Sequence, residues 1–117
     1  MGYSVYLTDV DGNVLQSDTK HNAKGSVYCV GGTTELTIDV TYNYAPIFVS
    51  VFGKNGLRTL HGKTASETLT TLNEAIYRLA DDVNEDYWLP TEGNVKIVLC
   101  HLRDFAYLRP DGIWKIV

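Results

Sequence analysis

Leu36-Thr37-Ile38-Asp39-Val40-Thr41-Tyr42-Asn43-Tyr44-Ala45-Pro46-Ile47-Phe48-Val49-Ser50-Val51-Phe52 is the stretch on which the fold turns. Leu36, Ile38, Val40 and Tyr42 alternate with Thr37, Asp39 and Thr41, the period of a strand with one buried face. Ala45-Pro46 interrupts the run, because proline cannot continue a central ladder, and residues 47–52 read as a further strand. Residues 26–30 are a third candidate, separated from the second by Gly31-Gly32. Three strand candidates with no helix between them do not fit a parallel sheet, whose strands need long crossovers. Antiparallel pairing is expected.

Upstream, Tyr3, Val5 and Leu7 alternate with Ser4, Tyr6 and Thr8. Asp11-Gly12 follows, a dipeptide suited to the positive φ of a tight hairpin, with residues 13–16 as the returning strand and residues 17–25 as a polar loop. Downstream, Thr64-Ala65-Ser66-Glu67 has the form of a capping box. Leu69, Leu72, Ile76 and Leu79 recur at helical spacing up to Asp81-Asp82. A second helix starts near Thr91 and carries Val95, Val98, Leu99, Leu102, Phe105 and Ala106 on one stripe before Pro110 stops it. The pattern predicts an α+β fold: an antiparallel β-sheet in the N-terminal half with two C-terminal α-helices packed on it, in a single domain over residues 1–117.

Composition narrows the function. At 44% hydrophobic and 21% charged, the chain is globular rather than disordered. A domain of this length buries roughly two thirds of its unfolded surface, enough for one core and not for a second catalytic lobe. Ten Lys and Arg against 14 Asp and Glu leave a net charge of −4. No bulk attraction to a DNA or RNA duplex or to an anionic membrane follows, and any anion must be captured locally. Cys29 and Cys100 lie outside any CxxC pair, the first residues lack a signal-peptide pattern, and no apolar run reaches membrane-spanning length. A cytoplasmic protein with reduced thiols is expected.

Thr8-Asp9-Val10-Asp11-Gly12-Asn13 is similar to the opening motif of haloacid-dehalogenase-type phosphatases, with Lys63 and Asp81-Asp82 following in order. That chemistry needs a parallel sheet, so the motif reads as a hairpin turn. As a calcium loop it lacks the bidentate Glu, since Lys20 stands there. His21, His61 and His101 have no companion at ligand spacing, and Cys100 and His101 diverge on a helix. No catalytic residue, metal site or cofactor is expected.

Two segments suit a nucleotide. Gly53 to Thr64 is a glycine-rich turn whose helix start offers unpaired N–H groups to an anion, and it carries Arg58. With Arg109 at the end of the last helix, it supplies two planar forks able to converge on a diphosphate. Arg78 and Arg103 fall within helices, where such side chains find water or an acid such as Glu74. Asp86-Tyr87-Trp88-Leu89-Pro90-Thr91-Glu92-Gly93-Asn94 holds rings to stack on a base and an amide to hydrogen-bond it. Binding without catalysis is the expected activity.

Thr41-Tyr42-Asn43-Tyr44, residues 56–64, Asp86-Tyr87-Trp88 with Thr91-Glu92-Gly93-Asn94, and Leu108-Arg109-Pro110-Asp111-Gly112-Ile113-Trp114 resemble, in that order, motifs of a small family common in phages and prophages. The chain is identified by this resemblance, over about residues 1–114, with the first family of Thoeris anti-defence proteins, sponges that sequester cyclic ADP-ribose signals. The resemblance implies a homo-oligomer built from dimers in the cytoplasm of an infected bacterium. It implies a pocket shared by two chains, enclosing glycocyclic ADP-ribose without cleaving it. Carried over to matching positions, Arg58 and Arg109 hold the phosphates, Asn94 with Tyr87 and Trp88 contacts the base, and Tyr6 or Leu7 lines the pocket. Leu57 and Leu60 stand where isoleucines are expected, and Lys115-Ile116-Val117 departs from the acidic endings of the group. Some such sponges hold cyclic oligonucleotides at a separate site, which nothing in this sequence marks. Two other classes are a phage structural or partner-binding protein, using Tyr42, Tyr44, Trp88 and Trp114 as exposed apolar surface, and a cyclic-nucleotide hydrolase.

Overall fold

In the computed structural model, which describes residues 2–26 and 30–117, five strands and three α-helices follow in the order β1 (Gly2–Thr8), β2 (Gln16–His21), β3 (Thr33–Glu35), β4 (Thr37–Thr41), α1 (Ala45–Phe52), α2 (Ala65–Arg78), α3 (Glu92–Leu108) and β5 (Ile113–Ile116). β1 is the middle strand of an antiparallel sheet ordered β4-β1-β5, with Tyr3 opposite Val40, Val5 opposite Ile38 and also opposite Ile116, and Leu7 opposite Trp114. These side chains fall on one face because side chains alternate along a strand. They are buried against Leu72, Ala75 and Ile76 of α2 and Val98, Leu99, Leu102 and Phe105 of α3. At about 1.5–3 kcal/mol for each fully buried large side chain, this sheet-on-helix layer is the main source of stability. The fold is α+β, as the order of the patterns implies.

Residues 47–52 are helical, not a strand. Thr41 accepts the Asn43 amide through its hydroxyl and starts a 3-10 turn over Tyr42–Tyr44, which leads directly into α1. Pro46 sits in the first turn of α1, where its missing N–H is no loss. Phe48 and Phe52, four residues apart, stack at 6.3 Å, and Phe48 meets the rings of Tyr3 and Tyr44. Burial of Phe48 outweighs the strand propensity of Ile47, Val49 and Val51.

The Asp11-Gly12 turn forms as expected. Gly12 takes φ +87°, and the Asp9 carboxylate accepts the Asp11 and Asn13 amides. The returning strand shrinks to a single bridge from Val14 to Thr8, with Leu15 donating to the Leu7 carbonyl. The chain expected to loop over residues 17–25 contains β2, which pairs with β3 in a separate two-stranded ribbon. Of the strand expected at 26–30, residues 27–29 lie outside the described residues, and the Ser26 amide donates to the Asp39 carbonyl. β5 is an addition to the expected scheme: the chain returns after α3 to complete the sheet.

Candidate ligand-binding site

Arg58 lies in a 3-10 turn, Gly56–Leu60, whose Leu57 and Leu60 are fully buried. With these two anchors inward, Arg58, one of the two residues between them, is exposed. The guanidinium carbon sits 4.9 Å from the centre of the Tyr3 ring and 5.9 Å from that of Tyr42, and one terminal nitrogen donates to the Tyr42 hydroxyl at 3.4 Å. Tyr3 and Tyr42 meet edge to face at 4.7 Å, so each ring braces the other. Burial pushes the Tyr3 phenol up, with the Arg58 charge pulling the other way. Among the described residues no carboxylate lies within ion-pair distance of Arg58. The result is an exposed fork, oriented by cation–π contacts, with its charge unneutralised.

The aromatic corner is tied to the same flank. Asn43, next to Tyr42, donates through its side-chain amide to the Trp88 carbonyl at 3.0 Å, and the Thr41 amide donates to the Tyr87 hydroxyl at 3.0 Å. Trp88 is 49% exposed, so its ring is available for stacking. Tyr87 is half-buried, packs on Tyr44 and Trp88, and takes the Tyr44 hydroxyl on its carbonyl. Burial raises the phenols of both Tyr44 and Tyr87.

Asn94 is placed differently from a base-reading amide. It is 5% exposed, and its side chain accepts from the Asn84 amide at 2.9 Å while donating to the carbonyls of Asp86 at 3.1 Å and Leu89 at 3.0 Å. With the Thr91 hydroxyl capping the Asn94 amide, it pins the loop that presents Trp88. Asn94 and Tyr87 also line a cleft of about 280 Å³ with His101, Asn22 and Ile97. Burial lowers the His101 imidazole there, opposed by Asp104.

Arg109 has a different set of neighbours from Arg58. It ends α3, bonds the exposed Asp111 carboxylate through two nitrogens at 3.3 Å, and reaches the Gln16 carbonyl at 3.5 Å. Those bonds hold the Asp111 carboxyl below its ordinary value. Together with Leu108 and Gln16 to Thr19 of the ribbon, Arg109 lines a groove of about 500 Å³. Tyr6 lies on the other face of the sheet, in a depression of about 270 Å³ with Thr8, Val14 and Lys115. Leu7 is wholly buried in the core. Arg58, Trp88, Tyr87 and Asn94 are thus grouped, whereas Arg109, Tyr6 and Leu7 are each elsewhere.

Three expectations are corrected. The amides at the start of α2 are not open to an anion, because Ala65 donates to the Gly112 carbonyl at 2.7 Å and Ser66 to that of Pro110 at 3.0 Å. Their donors are consumed by the chain that follows Arg109. Of the four rings proposed as exposed surface, Tyr44 and Trp114 are buried and only Tyr42 and Trp88 face solvent. Arg103 is half-buried: among the described residues its Nε has no partner, its guanidinium reaches Asn73 at 3.5 Å, and no ion pair joins it to Glu74.

The Tyr3–Tyr42 cradle is the part of the site that sequence reasoning missed. The signal available in the sequence is the alternation that puts Tyr3 in phase with Val5 and Leu7 and Tyr42 in phase with Ile38 and Val40, although Tyr42 itself lies past the end of β4 and is exposed. Among the described residues, no group of three or more His, Cys, Asp or Glu is placed to hold a metal ion, and no helix is long and apolar enough to cross a membrane. The α+β scaffold thus displays between two tyrosines an arginine that, among the described residues, has no carboxylate partner, and ties the exposed Trp88 to the same segment through Asn43. Compared with protein-family models, with curated proteins and with solved structures, the chain finds no significant match.

Proposed function

We propose that the protein binds a cyclic ADP-ribose isomer and withholds it intact, as a sponge against bacterial Thoeris signalling. The observation that carries this reading is the Arg58 fork: exposed, held by two tyrosine rings, without a carboxylate partner among the described residues, and on the segment that Asn43 ties to the exposed Trp88. A phosphate on Arg58 gains bidentate, charge-assisted hydrogen bonds, and an adenine ring gains an aromatic plate, which together match a compact dinucleotide. The groups against the guanidinium are phenols, and burial keeps that of Tyr3 protonated, so the immediate surroundings offer an anchor rather than a base. Arg109 joins the same ligand from a second copy, exchanging the exposed Asp111 carboxylate for phosphate at little cost, since surface ion pairs contribute only about 0–1 kcal/mol. The working unit is therefore at least a dimer.

The test is to load the purified protein with cyclic ADP-ribose and its glycocyclic isomers, remove free nucleotide, heat-denature, and chromatograph the supernatant. Release of unchanged isomer is expected. New products would make the protein an enzyme, and no retained nucleotide would refute the reading outright. Light scattering that finds only monomer with affinity intact would remove the shared pocket.

A further inference from the structure

The turn that carries Arg58 and the segment that follows Arg109 are stitched together by a seam of five hydrogen bonds. Ser66 donates to Pro110 and Ala65 to Gly112. Trp114 donates to the Lys63 carbonyl at 3.0 Å, and Gly62 donates to the Trp114 carbonyl at 2.8 Å. The fifth bond, at the end nearest Arg58, is of another kind: the Ile116 amide donates to Nδ1 of His61 at 2.9 Å. β5 is an edge strand, and Ser4 and Val117 exchange the ladder bonds on its inner side. The Ile116 N–H therefore points outward, where an edge amide lacks a strand partner, and the imidazole takes it. His61 is also tied to Arg58 through the backbone, its amide donating to the Arg58 carbonyl at 3.0 Å.

We infer that His61 is a positioning residue for Arg58: its neutral imidazole locks the Arg58 turn to β5, and protonation of the ring opens that lock. Nδ1 accepts a hydrogen bond only while it carries no proton, and in the imidazolium both ring nitrogens are donors. The other four bonds of the seam are between backbone groups and do not titrate. Leu57 and Leu60 hold the buried side of the turn at any pH, so opening the lock frees the Arg58 end of the seam without unfolding the core. The charged side chains on the segments meeting at the lock are Arg58 and Lys63 on the His61 turn and Lys115 on β5. Glu67, at the start of α2, is engaged by the Thr64 hydroxyl at 2.8 Å. Among the described residues no carboxylate lies within ion-pair distance of His61. The inference rests on the reading of Arg58 as a ligand contact, whereas the lock itself does not.

The experiment has one arm without ligand and one with it. Protection of the Ile116 amide against hydrogen exchange, corrected for intrinsic rate, is measured from about pH 8 to about pH 5, the span in which histidines protonate. The wild type, His61→Asn and His61→Ala are compared. Asparagine presents an oxygen near the position of Nδ1 and does not titrate. Ile116 protection is expected to fall about tenfold in the wild type as pH drops, consistent with loss of one hydrogen bond, to stay flat in His61→Asn, and to be low throughout in His61→Ala. In the second arm, affinity for cyclic ADP-ribose should fall with the same profile in the wild type and lose its pH dependence in His61→Asn. Constant Ile116 protection in the wild type, or an equal pH response in His61→Asn, overturns the inference. Falling protection with unchanged affinity shows that His61 holds β5 without positioning Arg58, and overturns it too. Absence of cyclic ADP-ribose binding at any pH refutes the ligand assignment instead, and the exchange arm still decides the lock.

Discussion

Replacing Asn94 separates two roles that its type alone does not distinguish. If it pins the loop over 84–89, Asn94→Ala removes three hydrogen bonds, to Asn84, Asp86 and Leu89, at 2.9, 3.1 and 3.0 Å. Each is worth about 0.5–1.5 kcal/mol net, and because the loop is partly exposed, water recovers part of the total, leaving a loss of about 2 kcal/mol. For a domain of this size that lowers Tm by roughly 8 °C. Asn94→Asp is the sharper variant. One carboxylate oxygen still accepts from Asn84, but the other faces the carbonyls of Asp86 and Leu89, so the loss at neutral pH is at least as large. The fold disfavours that charged form and raises the new carboxyl's pKa. The deficit is therefore full above the folded pKa and shrinks as pH falls and the acid becomes a donor. Thermal melts and urea titrations without ligand measure both. An Asn94→Ala protein that melts like the wild type but no longer binds nucleotide would refute the loop-pin argument and make the amide a ligand contact.

Arg58→Ala should weaken nucleotide binding at least thirtyfold, the loss of about 2 kcal/mol or more expected for one side of a buried charge pair, while melting changes little. Arg58→Lys should recover only part, since an ammonium lacks the planar fork that lies over Tyr3. Arg103→Met should be neutral or stabilising in a urea titration, because it keeps an apolar stem between α2 and α3 and removes a buried Nε without a partner. Gly112→Ala should lower stability by about 1–3 kcal/mol, since the new methyl would lie 2.4 Å from Cγ of Leu7 in a filled core. In an alkaline absorbance titration, Tyr3, Tyr44 and Tyr87 should ionise above the ordinary tyrosine range, because burial raises all three. Their contribution to stability is complete below the unfolded pKa of about 10 and is lost as pH rises towards the folded values. Coincident ionisation of every tyrosine before unfolding would contradict it.

The alternation of Tyr3, Val5 and Leu7 and of Ile38 and Val40, and the helical stripes from Leu72 and Val95, were legible because each places one face in the core. Residues 47–52 misread because two signals compete. Alternating Val49 and Val51 favours a strand, whereas Pro46 two residues after the turn favours a helix start, and only the pocket between Tyr3 and Tyr44 for Phe48 decides between them. β2 was hidden for the opposite reason: its residues are mostly exposed, so burial leaves no periodic trace in Gln16–His21. β5 has the alternation, with Trp114 and Ile116 inward, but four residues after a long helix carry little statistical weight. Its partner is β1, more than a hundred residues earlier in the chain.

The site shows the same limit more sharply. Arg58 was singled out because it lies in a glycine-rich turn, and Trp88 because it lies in an aromatic segment before a helix start; that Leu57 and Leu60 are buried on either side of Arg58 is visible only in the fold. The relation between Arg58 and Arg109 was not legible, because it is set by the seam, four of whose five bonds join backbone groups that every residue possesses. Arg58 leaves the seam beside Ile116 and Arg109 beside Pro110. Between these ends the chain turns at Pro110-Asp111 and then runs on as β5, and the guanidinium at each end is oriented by its own neighbours, Tyr3 and Tyr42 for one and Asp111 for the other. In the dimer proposed above, the two forks reach one diphosphate by coming from two copies of the chain. On that proposal one backbone seam fixes where each protomer carries its two arginines, and closure between copies is the arrangement in which both serve one ligand.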